Sequence, residues 1–271
     1  NRSLGWAVGE GGTILRSVDG GGLWTSVPSG VNAELLGVHF ATEKSGWIAG
    51  AGGTILHTDD GGTNWARQEA GTSSWLESIF FADEKRGCAV GSRGTILRTE
   101  DGGETWQSVD VKAKEWLYDV AFADASRGIV VGANGLILHT SDGGATWQDA
   151  ESGVGVNLYS VSMNDRRHAL AVGDQGRVLQ TTDGGVSWES QSSATSGPLF
   201  SAAYRGGSDA WVAGRGGMIL RRTDGVATVE IPTPRLPPVL RRRAPKLQNS
   251  PVIVDDGDIP RASPPAGKGT P

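Results

Sequence analysis

One phrase returns six times along this chain at a constant step of 41 residues, and it restricts the fold more than any other property. The first copy reads G-W-A-V-G-E-G-G-T-I-L-R-S-V-D-G-G-G-L-W, from Gly5 to Trp24. The glycine ending its first apolar run recurs at Gly9, Gly50, Gly91, Gly132, Gly173 and Gly214. The aspartate recurs at Asp19, Asp60, Asp101, Asp142, Asp183 and Asp224, and no step contains an insertion or deletion. Such a period means one supersecondary unit copied many times. Residues common to every copy are expected to build the scaffold, and the slots that differ to carry function.

Each full copy contains four short apolar runs separated by turn chemistry. The first alternates in character: Tyr118, Val120 and Phe122 share one face, as do Tyr159, Val161 and Met163. The second is G-W-I-A-G at Gly46–Gly50 and the third T-I-L-H-T at Thr54–Thr58. The fourth opens at the closing tryptophan, Trp24, Trp65, Trp106, Trp147 or Trp188. Short runs spaced by glycine and aspartate turns predict antiparallel meanders. Four strands per copy, repeated radially, predict an all-β propeller of four-stranded antiparallel blades. No stretch has a helical period, and no closing tryptophan is followed by the aspartate of a WD40 blade. The first copy lacks its opening strand, so a further segment is expected before Asn1.

Composition divides the chain near residue 231. Ten of the 12 prolines lie from Pro232 onward, in a stretch without aromatic residues. Residues 1–231 are therefore read as the propeller, and residues 232–271 as a Pro-rich, basic, disordered linker or tail. The propeller carries 18 Lys/Arg against 27 Asp/Glu, which argues against nucleic acid as a partner. Cys88 stands alone, in the slot that Trp6, Trp47 and Trp211 fill elsewhere, and reads as a buried packing residue. No apolar run approaches the length of a membrane span, which leaves membrane association to regions outside this sequence.

The turn between third and fourth strands explains its own residues. In T-S-D-G-G-A-T-W, at 140–147, the carboxylate accepts hydrogen bonds from nearby backbone N–H groups. Glycines supply positive φ, and the tryptophan closes the turn against the blade edge. This Asp-box pattern assigns Asp19, Asp60, Asp101, Asp142 and Asp183, with Trp24, Trp65, Trp106, Trp147 and Trp188, to structure. The loop has too few oxygen ligands for calcium, so no metal or other cofactor is expected.

The joined phrase G-W-A-V-G-x-x-G-T-I-L-x-T-x-D-G-G-x-T-W resembles the photosystem II stability and assembly factor family. The match covers residues 1–231 and is cleanest at 87–106 and 128–147. That resemblance implies a seven-bladed propeller in the periplasm or thylakoid lumen. It also implies a non-enzymatic, chaperone-like role in photosynthesis, binding a newly made membrane-protein subunit. The Pro-rich tail points to a bacterial relative.

Two sets of variable slots are candidates for binding. Trp75 and Trp116 are extra tryptophans in the loop before the first strand, on adjacent blades, with Arg93 between them in sequence. They either form a binding patch or fill gaps between blades. On the opposite face Lys85, Arg86, Arg127, Arg166 and Arg167 form a basic arc, the alternative being an ordinary solvated loop surface. Arg16, Arg98 and Arg221 read as the polar face of the third strand, and the three tyrosines as packing. Asp-boxes also occur in sialidases and other glycoside hydrolases, so an enzyme is the rival class, and an extracytoplasmic sensor domain a third. Glu10, Glu34 and Asp174 are loop carboxylates, but nothing in the sequence pairs them as glycoside hydrolysis requires.

Overall fold

A computed structural model describes residues 3–193, 195–204, 209–223 and 226–230, which form six consecutive antiparallel sheets. The proposed tail, 232–271, lies outside the described residues. Blade 1 has three strands, β1 (Gly5–Gly9), β2 (Thr13–Ser17) and β3 (Thr25–Val27). Blade 2 has β4 (Leu35–Phe40), β5 (Gly46–Gly50), β6 (Thr54–Thr58) and β7 (Ala66–Glu69). Blade 3 has β8 (Leu76–Phe81), β9 (Gly87–Gly91), β10 (Ile96–Thr99) and β11 (Gln107–Ser108). Blade 4 has β12 (Leu117–Phe122), β13 (Gly128–Gly132), β14 (Ile137–Thr140) and β15 (Gln148–Ala150). Blade 5 has β16 (Leu158–Met163), β17 (Ala169–Gly173), β18 (Val178–Thr181) and β19 (Glu189–Gln191). Blade 6 has β20 (Leu199–Tyr204), β21 (Ala210–Gly214), β22 (Met218–Thr223) and β23 (Val226–Glu230). Strands pair in chain order within each blade, and the opening strands β4, β8, β12, β16 and β20 are successive neighbours. This is the propeller arrangement that the repeat predicts.

The core is a series of sandwiches between blades. Trp47, Ala49 and Ile55 of blade 2 pack with Leu76, Ile79 and Phe81 of blade 3, while Ile48 and Leu56 pack back onto Ile14 of blade 1. Equivalent clusters join blades 3 and 4, 4 and 5, and 5 and 6. A second strand between two neighbours buries both faces, which is why β5, β9, β13 and β17 are buried throughout and read as unbroken apolar runs.

The exceptions within the repeat have steric causes. A Cβ on Gly46 would lie 2.5 Å from the Phe40 ring, and one on Gly87 would lie 2.4 Å from Phe81. The same slot is Ala169 where the phenylalanine position holds Met163. Cys88 is 1% exposed, as expected for a packing residue, and burial pushes its thiol up to about 12. Its small side chain leaves a cavity of about 10 Å³ beside Phe122, Phe80 and Gly143.

Blades are also latched by hydrogen bonds. Trp47 Nε1–H donates to the Gly102 carbonyl of the next blade's aspartate turn, at 3.0 Å. Trp6 and Arg16 both donate to Gly61, at 3.3 and 2.8 Å. Where the tryptophan is replaced by Cys88, Arg98 Nε–H supplies the bond to Gly143, at 2.8 Å. Arg16 and Arg98, on the polar face of the third strand, are thus clamps between blades.

Candidate functional site

The two ends of each blade have different chemistry. At one end lies the aspartate turn. Thr58 Oγ1–H donates to Asp60 Oδ1 (2.8 Å), which also accepts from the N–H groups of Thr63 (2.9 Å) and Asn64 (3.0 Å). Asp101 and Asp183 repeat this, and such donors hold the carboxyls of Asp60, Asp101 and Asp183 down at about 2. The turn is tied to the loop after the opening strand through Gly61 N–H to Lys44 O (2.9 Å) and Gly102 N–H to Lys85 O (2.9 Å). The closing tryptophans pack beside it: Trp65, Trp106 and Trp147 meet Phe40, Phe81 and Phe122 edge-on. Trp188 donates to Gly185 O at 3.1 Å, and Trp24 is 41% exposed.

The basic arc lies at this end, and much of its charge is already engaged. Arg86 pairs with Asp83 (2.5 Å), Arg166 pairs with Asp124, and Arg167 donates to Thr182 O (3.1 Å). Arg127 is half-buried and Lys85 exposed. The intervening acids Asp83 and Asp124 were the feature that the sequence reading passed over.

At the other end, the loop before each opening strand is bonded to the 3-10 turn joining strands two and three. Ser92 N–H donates to Trp75 O (2.9 Å), and Trp75 N–H donates to Ser92 Oγ (3.1 Å). Ala133 N–H donates to Trp116 O at 2.8 Å. The carbonyls sit so close to Gly91 and Gly132 that a Cβ there would approach to 1.8 and 2.4 Å. Backbone rigidity thus fixes where each indole leaves the surface. Arg93 occupies this turn at φ 60, exposed, in the slot where other blades have Gly11, Gly52, Asn134, Gln175 and Gly216.

The indoles of Trp75 and Trp116 meet edge-on with centroids 6.5 Å apart, and they remain 42% and 39% exposed. Trp116 Nε1–H donates to Glu77 Oε1 at 2.8 Å. The row continues two residues on, where the Tyr118 and Tyr159 rings lie 5.3 Å apart, and Tyr159 and Phe200 lie 5.8 Å apart. Tyr159 O–H donates to Asp174 Oδ2 at 3.0 Å. Tyr118 and Tyr159 are half-buried and Phe200 is 51% exposed, so these are surface aromatics as well as packing. Burial pushes the Glu77 carboxyl up, assisted by the charge of Glu34, while the Trp116 bond opposes it. The Tyr118 phenol is also raised, by burial and by Tyr159, Glu77 and Asp174.

Beneath this surface, Asp119 joins three blades. Ser78 Oγ–H donates to Oδ1 (2.8 Å), while Ser160 Oγ–H and Val161 N–H donate to Oδ2 (3.0 Å each). Its own strand contributes Val120 N–H at 2.9 Å. Sequence reasoning missed this residue, although a visible signal exists: its slot holds Gly37, Ser78, Ser160 and Ser201 in the other blades. Among the described residues, no three His, Cys, Asp or Glu side chains cluster closely enough to hold a metal ion.

The family model of the photosynthesis system II assembly factor YCF48 matches residues 1–73, 105–155 and 149–237. No curated protein matches the chain. Among solved structures, YCF48 bound to D1 peptide superposes with a TM-score of 0.70 at 22% identity, over 85% of this chain and 77% of that one. YCF48 from Cyanidioschyzon merolae gives 0.68 at 20% identity, over 85% and 81%. The GH74 xyloglucanase from Xanthomonas campestris gives 0.67 at 14% identity, over 85% of this chain but 44% of the enzyme. At these identities the likeness is one of fold. The family match, spanning most of the propeller, goes further: the chain belongs to the photosynthesis system II assembly factor YCF48 family.

Proposed function

We propose that this propeller is a non-catalytic scaffold that binds a protein client through its aromatic face, as an assembly-factor-like chaperone. The observation that carries this reading is the exposed Trp75–Trp116 pair, held by rigid backbone at the end of two adjacent blades. Large exposed aromatics on a preorganised frame lose little conformational entropy when covered, which makes them strong interface anchors. A solved YCF48 structure with a bound D1 peptide supports a peptide of a membrane-protein subunit as the kind of client. The proposal includes an extracytoplasmic location, in a periplasm or thylakoid lumen, on the ground of family membership.

The basic arc is the weaker surface, because the ion pairs of Arg86 and Arg166 would have to open before a client could use them. The loop carboxylates also favour binding over hydrolysis, since Asp174 is already occupied by the Tyr159 hydroxyl. Hydrogen exchange with and without D1 peptide tests the reading. Protection confined to the loops around Trp75 and Trp116 is expected, and protection confined to the aspartate-turn face would refute it.

A further inference from the structure

The aromatic face has a chemical asymmetry. Two of its side-chain donors are already spent, the Trp116 N–H on Glu77 and the Tyr159 O–H on Asp174, while Arg93 stands exposed on the adjoining turn. Glu34, Glu77 and Asp174 form no ion pair among the described residues. Around Tyr118 the surface therefore presents carboxylate lone pairs and ring faces. The complement of such a surface is a group that only donates and carries positive charge, the ammonium of lysine or the guanidinium of arginine. A sugar, whose hydroxyls both donate and accept, would leave its acceptors facing carboxylates. Tyr118 connects the two carboxylate sites, since it follows Trp116 by two residues and its ring lies tilted against Tyr159, 5.3 Å away.

We propose that the aromatic face docks a cationic peptide segment, seating a lysine or arginine side chain over Tyr118 between Glu77 and Asp174. This inference rests on the protein-binding reading above and adds the chemistry of the client. Charge complementarity carries it: three carboxylates without an ion pair, beside exposed rings and against the single charge of Arg93, are costly to cover with a neutral or acidic partner and favourable to cover with a basic one.

The test is calorimetric titration of the full chain with capped peptides of one length. One carries alternating arginine and glycine, one replaces arginine by neutral citrulline, and one replaces it by glutamate, with a xyloglucan oligosaccharide as a fourth probe. The arginine peptide is expected to bind at least about tenfold more tightly than the citrulline peptide, with affinity falling as salt rises. Glu77→Gln, which keeps an acceptor for Trp116, and Asp174→Asn are each expected to remove most of that preference. Equal binding of arginine, citrulline and glutamate peptides, with dependence on Trp116, would overturn the cationic assignment and leave the client reading standing. Failure of every peptide would overturn both readings, and binding of the oligosaccharide alone would replace them with a glycan site. The comparison of peptides on the unaltered chain decides the matter even if a variant fails to fold.

Discussion

The indole N–H of Trp116 donates to the carboxylate of Glu77 at 2.8 Å, although the two residues are 39 positions apart and on neighbouring blades. The bond orients the ring of Trp116 against Trp75 and holds a carboxylate at the edge of the aromatic row. Burial and the nearby charge of Glu34 raise the pKa of Glu77 above the ordinary glutamate value of about 4.3. The folded state therefore holds this proton more tightly than the unfolded state, so the contribution of Glu77 to stability is present at low pH and lost as pH rises through its folded pKa. The Trp116 indole N–H resonance is expected to titrate with a midpoint above that of a free glutamate. Glu77→Gln should abolish the titration, and an unchanged titration in that variant would disprove the coupling.

The aspartate turns predict the opposite pH dependence. Asp60, Asp101 and Asp183 are held at about 2, below the unfolded value of about 3.9. Their stabilisation is present above pH ~4 and is lost as pH falls towards 2. Thermal melts should show Tm dropping over that window, with a shallower drop in Asp101→Asn. A Tm independent of pH across the window would show that the turns contribute nothing through their charge.

Asp119 is predicted to be the most sensitive polar residue of the propeller. Asp119→Ala strands Ser78, Ser160 and the Val161 N–H without their acceptor. The cost is expected to be about 3 kcal/mol, or a Tm lowered by ~6–12 °C for a chain of this size. Ser78→Ala should cost about 1 kcal/mol, as the loss of one hydrogen bond. Chemical denaturation measures both, and equal costs would contradict the three-blade arrangement.

Arg93 is in a backbone conformation that other blades assign to glycine or an amide residue. Arg93→Gly is therefore expected to stabilise the fold by about 1 kcal/mol, by relieving the left-handed strain of a residue with a Cβ. Because it also removes a cation beside the aromatic face, it should tighten the binding of a basic peptide. A fall in Tm would show that the Arg93 side chain makes a compensating contact.

The architecture was legible because its causes are local. Turn glycines, the aspartate with its threonine partner, and the two-faced burial of the second strand are each written within one 41-residue copy. The pairing of Trp75 with Trp116 was partly legible, since both occupy one slot on adjacent blades. Contacts between copies were less so. Nothing within blade 3 indicates that Arg98 donates to Gly143 of blade 4, or that Asp119 gathers donors from both neighbours. The acids that neutralise Arg86 and Arg166 stand 3 and 42 positions away, and only the fold shows that both distances close. Tyr118 and Tyr159 fit the strand period and so read as packing, but period alone does not say whether a ring ends in the core or at its rim.

The central claim is that the Trp75–Trp116 face binds the client, and affinity for the D1 peptide tests it most directly. Trp75→Ala and Trp116→Ala are each expected to cost about 2 kcal/mol, roughly a thirtyfold weaker Kd, with Tm close to that of the unaltered chain. Arg86→Ala and Arg166→Ala, on the opposite face, should leave Kd unchanged. Unaltered binding in both tryptophan variants, with loss in the arginine variants, would contradict the account.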